Sequence, residues 1–171
     1  QGHYFRGYTS RNTVEKTVKF EQYQAIKAHA LELCEQGKKL GEPQSLNPII
    51  LAYVGDVVFS LYVRMRLLPT SGQIRVIHDL DAKIVSAKMQ SLAMDALEAT
   101  LSPEEAAVAK RGRNTKSQVP KSATVREYRQ GTAFEALIGY LFLREENERV
   151  EEIMDKSFNL ITESMKRGKS K

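Results

Sequence analysis

The chain has 171 residues, 42% of them hydrophobic and 27% charged, enough for one soluble globular domain with a real core and hardly enough for two. A single cysteine, Cys34, excludes an internal disulfide framework and fits a reducing compartment; with His3, His29 and His78 it offers no zinc-ligand spacing. The net charge of +5 is a local feature, because Lys110–Arg129 alone carries seven Lys/Arg against one acid and the rest of the chain sums to −1.

Residues 1–18, "QGHYFRGYTSRNTVEKTV", lack the apolar core of a signal peptide. They read as an N-terminal extension (a processed leader, a cloning remnant or a mobile arm), with the folded domain expected over 19–171. "FEQYQAIKAHALELCEQG" then places Phe20, Tyr23, Ile26, Ala30 and Leu33 on one helical stripe, with Gly37 as the stop. "GEPQS" is a linker. Asn47 as N-cap and Pro48 at the first helical position open a helix over about 48–68. That helix is apolar nearly all round, through Ile49, Leu51, Tyr53, Val54, Val57, Phe59, Leu61 and Tyr62. It is expected either at the centre of the core or covered by a partner chain. A membrane span is disfavoured by Asp56 at mid-depth, Pro48 near the start, and Arg64 and Arg66 close behind.

Pro69 and Gly72 break the pattern. "DLDAKIVSAKMQSLAMDALEA" follows as one expected helix, with Ile84, Val85, Lys88, Met89, Leu92 and Ala96 at helical spacing. A short helix, "SPEEAAVAKRG", has Ser102 as cap, Pro103, two glutamates in its first turn and Gly112 as its expected stop. The loop "RGRNTKSQVPKSAT" has no hydrophobic period and is interrupted by Pro120. A second apolar helix is expected from about Arg126 to Leu143. The last, over 147–166, puts Val150, Ile153, Met154, Phe158, Ile161 and Met165 on one face. No segment reads as a strand and none repeats, so the expected fold is an all-α domain of about seven helices.

Two residues break the apolar pattern in the same way. Asp56 and Glu135, 79 residues apart, each sit in the middle of an apolar helix. Stranding a lone charge there costs several kcal/mol unless it is paired. Gly55 precedes Asp56, and Gly139 lies one turn after Glu135. A glycine inside a helix costs up to about 1 kcal/mol against alanine, and what it permits is close approach of another backbone. Two helices notched in this way can cross and bring both carboxylates to one spot. Mg²⁺ asks for such a site, with one or two carboxylates and the remaining positions held by water and substrate phosphate. Other readings stay open: a hydrogen-bonded structural Asp56, an ion pair from Glu135 to Arg64 or Arg126, and a basic loop that is only a solvated face. Lys110, Arg111, Arg113, Lys116 and Lys121, interleaved with Gly, Asn, Thr and Ser, suit phosphate contacts.

At this point the residues resemble a known family. "LAYVGDVVFSLYVR" is similar to the signature helix of the ribonuclease III catalytic domain, and "FEALIGYLFL" to that family's second motif. Together with "IVSAK" and "KRGRNTKS" they resemble the short bacterial Mini-ribonuclease III, which lacks a double-stranded-RNA-binding domain; the similarity covers about 45–150. The larger enzymes use four acids. Two of those positions fall here on Ile49 and Thr132, leaving Asp56 and Glu135, a reduced set that the Mini form shares. Thr132 is then a candidate to hold a metal-bound water. The resemblance implies a homodimer with the Asp56 helices near its two-fold axis, and Mg²⁺-dependent cleavage of double-stranded RNA (Mn²⁺ can substitute) leaving 5′-phosphate and 3′-hydroxyl ends. It also implies 23S ribosomal RNA precursor as substrate, a large-subunit ribosomal protein as helper, and the bacterial cytoplasm as location. The rival readings are a catalytically silent RNA- or ribosome-binding scaffold, which the two missing acids favour, and a phosphohydrolase of small nucleotides, for which no pocket motif is evident.

Overall fold

The computed structural model describes residues 11–37, 40–116 and 118–168, with side chains from 19 onwards. The chain divides into two compact units, 1–40 and 41–171. The first contains α1, Arg11–Glu35, after which Gly37 adopts a left-handed φ of 62° and ends the run. The expected extension over 1–18 lies largely outside the described residues; from Arg11 helix α1 runs unbroken to Glu35, with Phe20, Tyr23 and Ile26 exposed.

The second unit contains α2 (Pro48–Leu67), α3 (Ile74–Ile84), α4 (Ala87–Leu97), α5 (Pro103–Arg113), α6 (Val125–Leu143) and α7 (Asn147–Arg167). Among the described residues there are seven α-helices and no strand, as the patterning predicts. Helix α6 is the centre of this unit: α2, α4 and α5 pack on it, and α7 joins from one side. Phe134, Leu137, Ile138 and Leu141 are fully buried on α6 and meet Leu51, Phe59 and Val63 of α2. The rings of Phe59 and Phe134 stand edge to face with centroids 4.9 Å apart.

Local chemistry sets most helix starts. Asn47 accepts from the Ile49 amide at 3.0 Å. Ser102 with Glu105 and Thr124 with Glu127 form complete capping boxes, each side chain satisfying an amide that the helix itself cannot and contributing about 1 kcal/mol.

Two expectations are corrected. The single helix expected from Asp79 is two, because Ser86 takes an extended ψ of 152° and caps α4, accepting from the Met89 amide. The new phase buries Ile77, Asp81 and Ile84 of α3 and Gln90, Ala93, Met94 and Leu97 of α4, and leaves Leu92 37% exposed. Gly112 is likewise not a stop. The helix continues to Arg113, and a Cβ at 112 would lie 2.9 Å from the Ala136 Cβ, so this glycine lets α5 sit against α6.

Helix α2 is two-faced despite its all-round apolar sequence. Leu51, Ala52, Phe59, Val63 and Leu67 are buried, while Tyr53, Val57, Leu61 and Met65 are 61–77% exposed. By length and composition the span Pro48–Thr70 is long and apolar enough to cross a membrane. Its inner face is instead packed in a helical core, and Arg64 and Arg66 pair with Asp81 and Asp155.

Candidate active site

The crossing of α2 and α6 is made at their glycines. A Cβ at Gly55 would fall 1.8 Å from the Glu135 carbonyl oxygen, and one at Gly139 would fall 1.9 Å from that of Leu51. The two backbones are in direct contact, which only residues without Cβ permit. Asp56 follows one glycine and Glu135 precedes the other by one turn, so the crossing brings their carboxyl groups together closely enough for each to act on the other.

Asp56 itself is exposed and Glu135 is partly buried. The expectation of two equally stranded acids is thus corrected for Asp56, which stands at the solvent edge of the crossing because the outer face of α2 is uncovered. Neither alternative ion pair forms. Arg64 Nε donates to Asp81 at 3.0 Å, and one guanidinium nitrogen of Arg126 lies 2.9 Å from both Asp95 oxygens. Burial, and after it the negative charge of Asp56, push the Glu135 carboxyl from its ordinary 4.5 up to about 8.

The arrangement is an acid pair open to solvent on one side, and among the described residues no cation acts on Glu135. Among the described residues no cluster of three or more His, Cys, Asp or Glu forms. The donor set is therefore two carboxylates, which fits a hard divalent ion that keeps water and takes a substrate phosphate as its other ligands. Ile49, two turns before Asp56 on α2, is 46% exposed. The Thr132 hydroxyl donates back to the Tyr128 carbonyl at 3.0 Å.

A third helix enters the site with a residue that the sequence reading missed. Gln90 of α4 is 2% exposed and stands close enough to Glu135 to act on it as a donor, holding its carboxyl lower than burial alone would, while its Nε2 closes no full hydrogen bond in this structure. The available signal was an amide where the α4 stripe otherwise carries apolar residues.

The basic segment is not one uniform patch. The Arg111 guanidinium donates to the Gln44 and Leu46 carbonyls at 2.7 and 2.5 Å, tying α5 to the approach to α2. Arg113 donates to Gln130 Oε1 at 2.5 Å and also binds Glu98. Lys110, Lys116 and Lys121 are exposed. An open cleft of about 540 Å³ is lined by Glu98, Arg113, Asn114, Val125, Arg126, Arg129 and Gln130.

Residues 50–146, which contain both acids, match the model of the ribonuclease III domain family. The chain is 41% identical over 121 residues to a Mini-ribonuclease 3 of Thermoanaerobacter, covering 70% of this chain and 85% of that one. The chain belongs to the Mini-ribonuclease 3 family. A Mini-ribonuclease 3 of Clostridium tetani is similar at 40% identity over 71% of this chain and 82% of its own length. A crystal structure of a Fusobacterium nucleatum protein is similar with a TM-score of 0.64 and 29% identity, covering 68% of this chain and 96% of that one. Membership makes the chain an endoribonuclease with RNA as its substrate class, and the matched residues 50–146 contain both α2 beyond its first turn and α6.

Proposed function

We propose that this endoribonuclease is divalent-cation-dependent, cuts double-stranded RNA as a homodimer, and leaves 5′-phosphate and 3′-hydroxyl ends. The observation that carries the reading is the facing Asp56–Glu135 pair at a backbone-tight, glycine-notched crossing. Asp56 and Glu135 would hold Mg²⁺ or Mn²⁺. Such an ion lowers the pKa of a bound water and neutralises charge growing on the phosphate. Asp56, on the solvent side, orients the attacking water. Glu135, fixed by the packing of α6, would be the ion's second carboxylate ligand. Water adds to phosphorus and the bond to the 3′ oxygen breaks, so the phosphate stays on the 5′ end.

The homodimer rests on α2. Tyr53, Val57, Leu61 and Met65 recur every four residues and form an exposed apolar stripe beside Asp56. From Ile49 to Met65 it runs for about 24 Å at 1.5 Å per residue, and a contiguous patch of this kind marks an interface. A second copy packed on it by two-fold symmetry sets two Asp56 sites side by side, one for each strand of a duplex. Lys110, Lys116 and Lys121 supply phosphate contacts, which suit A-form RNA read by shape and backbone. The family resemblance implies 23S ribosomal RNA precursor as the substrate, a large-subunit ribosomal protein as helper and the bacterial cytoplasm as location, and these complete the proposal.

Ile49 and Thr132, in place of acids, favour a second reading as a silent RNA-binding scaffold. One assay separates the two: cleavage and binding of a ribosomal-precursor duplex with Mg²⁺, for the natural protein and Asp56→Ala. Cleavage that is lost in the variant and on chelation, with binding retained, supports the enzyme. Binding without cleavage by the natural protein refutes it.

A further inference from the structure

Asp56 and Glu135 use two of the three helices that meet at the site, and α4 brings a buried amide up to Glu135 without closing a full hydrogen bond to it. Gln90 stands in the first turns of α4, behind the Ser86 cap, and is 2% exposed. An amide donor buried without a partner costs about 1–3 kcal/mol. Leucine or methionine would fill the same space without that penalty. Gln90 Nε2 is one of two such side-chain atoms among the described residues. Space for this side chain is kept by Gly131, where a Cβ would lie 3.2 Å from Gln90 Oε1. The amide oxygen thus faces α6 at Gly131, and the side chain lies against Glu135, one turn further along the same helix. Glu135 has two carboxyl oxygens, and both Asp56 and Gln90 stand close enough to act on them.

We propose that Gln90 is the positioning residue of Glu135: its Nε2 donates to one carboxylate oxygen and so turns the other toward Asp56, with which it would hold the ion. The role rests on the enzymatic reading above. It explains an amide in an apolar helix stripe, the glycine at 131, and a buried donor whose acceptor is complete only when Glu135 takes its working orientation. A carboxylate on α6 can rotate about its terminal torsion, which is broad. One charge-assisted hydrogen bond is the simplest means of holding it.

The test is Gln90→Met, which keeps length and removes the donor. Melting of the metal-free protein should be unchanged or raised, because an unsatisfied group has gone. Mn²⁺ titrated into RNA-free protein, read by the electron paramagnetic resonance of the free ion, should bind about tenfold more weakly, the low end for a hydrogen bond to a charged group. In cleavage, kcat should fall by a similar factor while KM for a duplex RNA stays constant, since the RNA is held by other residues. A variant that binds Mn²⁺ and cuts as the natural protein does overturns the proposal and leaves the enzyme reading standing. A variant that melts several degrees lower with a raised KM overturns it too, in favour of a packing role. A natural protein that neither binds Mn²⁺ nor cuts RNA refutes the enzyme reading, and the positioning role falls with it.

Discussion

Substituting Gly139 by alanine sets two effects of opposite sign against each other. Alanine in place of a helix-interior glycine favours the helix by about 1 kcal/mol. Here, however, the new Cβ would lie 1.9 Å from the Leu51 carbonyl oxygen, 2.8 Å from its carbon and 3.0 Å from the Gly55 nitrogen. All three are backbone atoms of α2, so no side-chain rotation relieves the clash. Restoring an ordinary 3.4 Å contact asks the helices to part by about 1.5 Å at this point. A gap of about 0.5–1 Å already forfeits a quarter to a half of each van der Waals contact, and the contacts at stake include Leu51, Phe59, Phe134 and Ile138. Overpacking of a well-filled core costs about 1–3 kcal/mol, occasionally more, and a backbone-on-backbone clash belongs at the upper end. The net expectation is a loss of about 3 kcal/mol, or about 6–12 °C in Tm for a chain of this size. Cleavage should fall further than stability, because a shift of about 1 Å between reacting groups costs on the order of 100-fold. Thermal and urea unfolding followed by circular dichroism measure the first effect, with Gly72→Ala as control, since a Cβ there meets nothing within 4 Å. A Gly139→Ala protein that melts at or above the natural one would refute the close-crossing account.

Other outcomes follow from the same site. The raised pKa of Glu135 means that the folded protein holds this proton more tightly than the unfolded chain. Its contribution to stability is full below about pH 4.5 and is lost as pH rises to about 8. With chelator present, Tm should decline over that window, and Glu135→Gln should flatten the decline; parallel curves for the two proteins would contradict it. Arg111→Met frees two carbonyls at the approach to α2 and should cost about 1–2 kcal/mol, with little change in the salt dependence of RNA binding. Neutralising Lys110, Lys116 and Lys121 together should do the reverse, lowering the salt slope by up to about 0.9 per lysine in contact with phosphate at constant Tm. Leu61→Glu puts a charge on the exposed stripe and should yield a folded monomer by sedimentation; an unchanged oligomer would move the interface elsewhere.

What the sequence determined by itself is what local chemistry controls. Asn47–Pro48, Ser102–Pro103 and Gly37 mark their helix ends because a cap or a left-handed residue acts within one turn. The two acids beside two glycines were equally legible, since a charge and a notch in an apolar helix stand out against their own neighbours. Tertiary structure decided everything that depended on a partner distant in the chain. Helix α2 is apolar all round, so its sequence carries no phase, and only packing on α6 selects Leu51, Phe59 and Val63 for burial and leaves Asp56 at the edge. The hydrophobic period runs straight through Ser86, and the break there wins because its hydroxyl caps α4. Gly112 looked like a stop and is a contact, because its neighbours Ala133 and Ala136 lie on another helix. Arg111 and Arg113 read as free charge, yet their acceptors are Gln44, Leu46, Glu98 and Gln130. Gln90 belongs to the site only because α4 is laid against Glu135. A side chain's type is written in the sequence, but its partner is chosen by the fold.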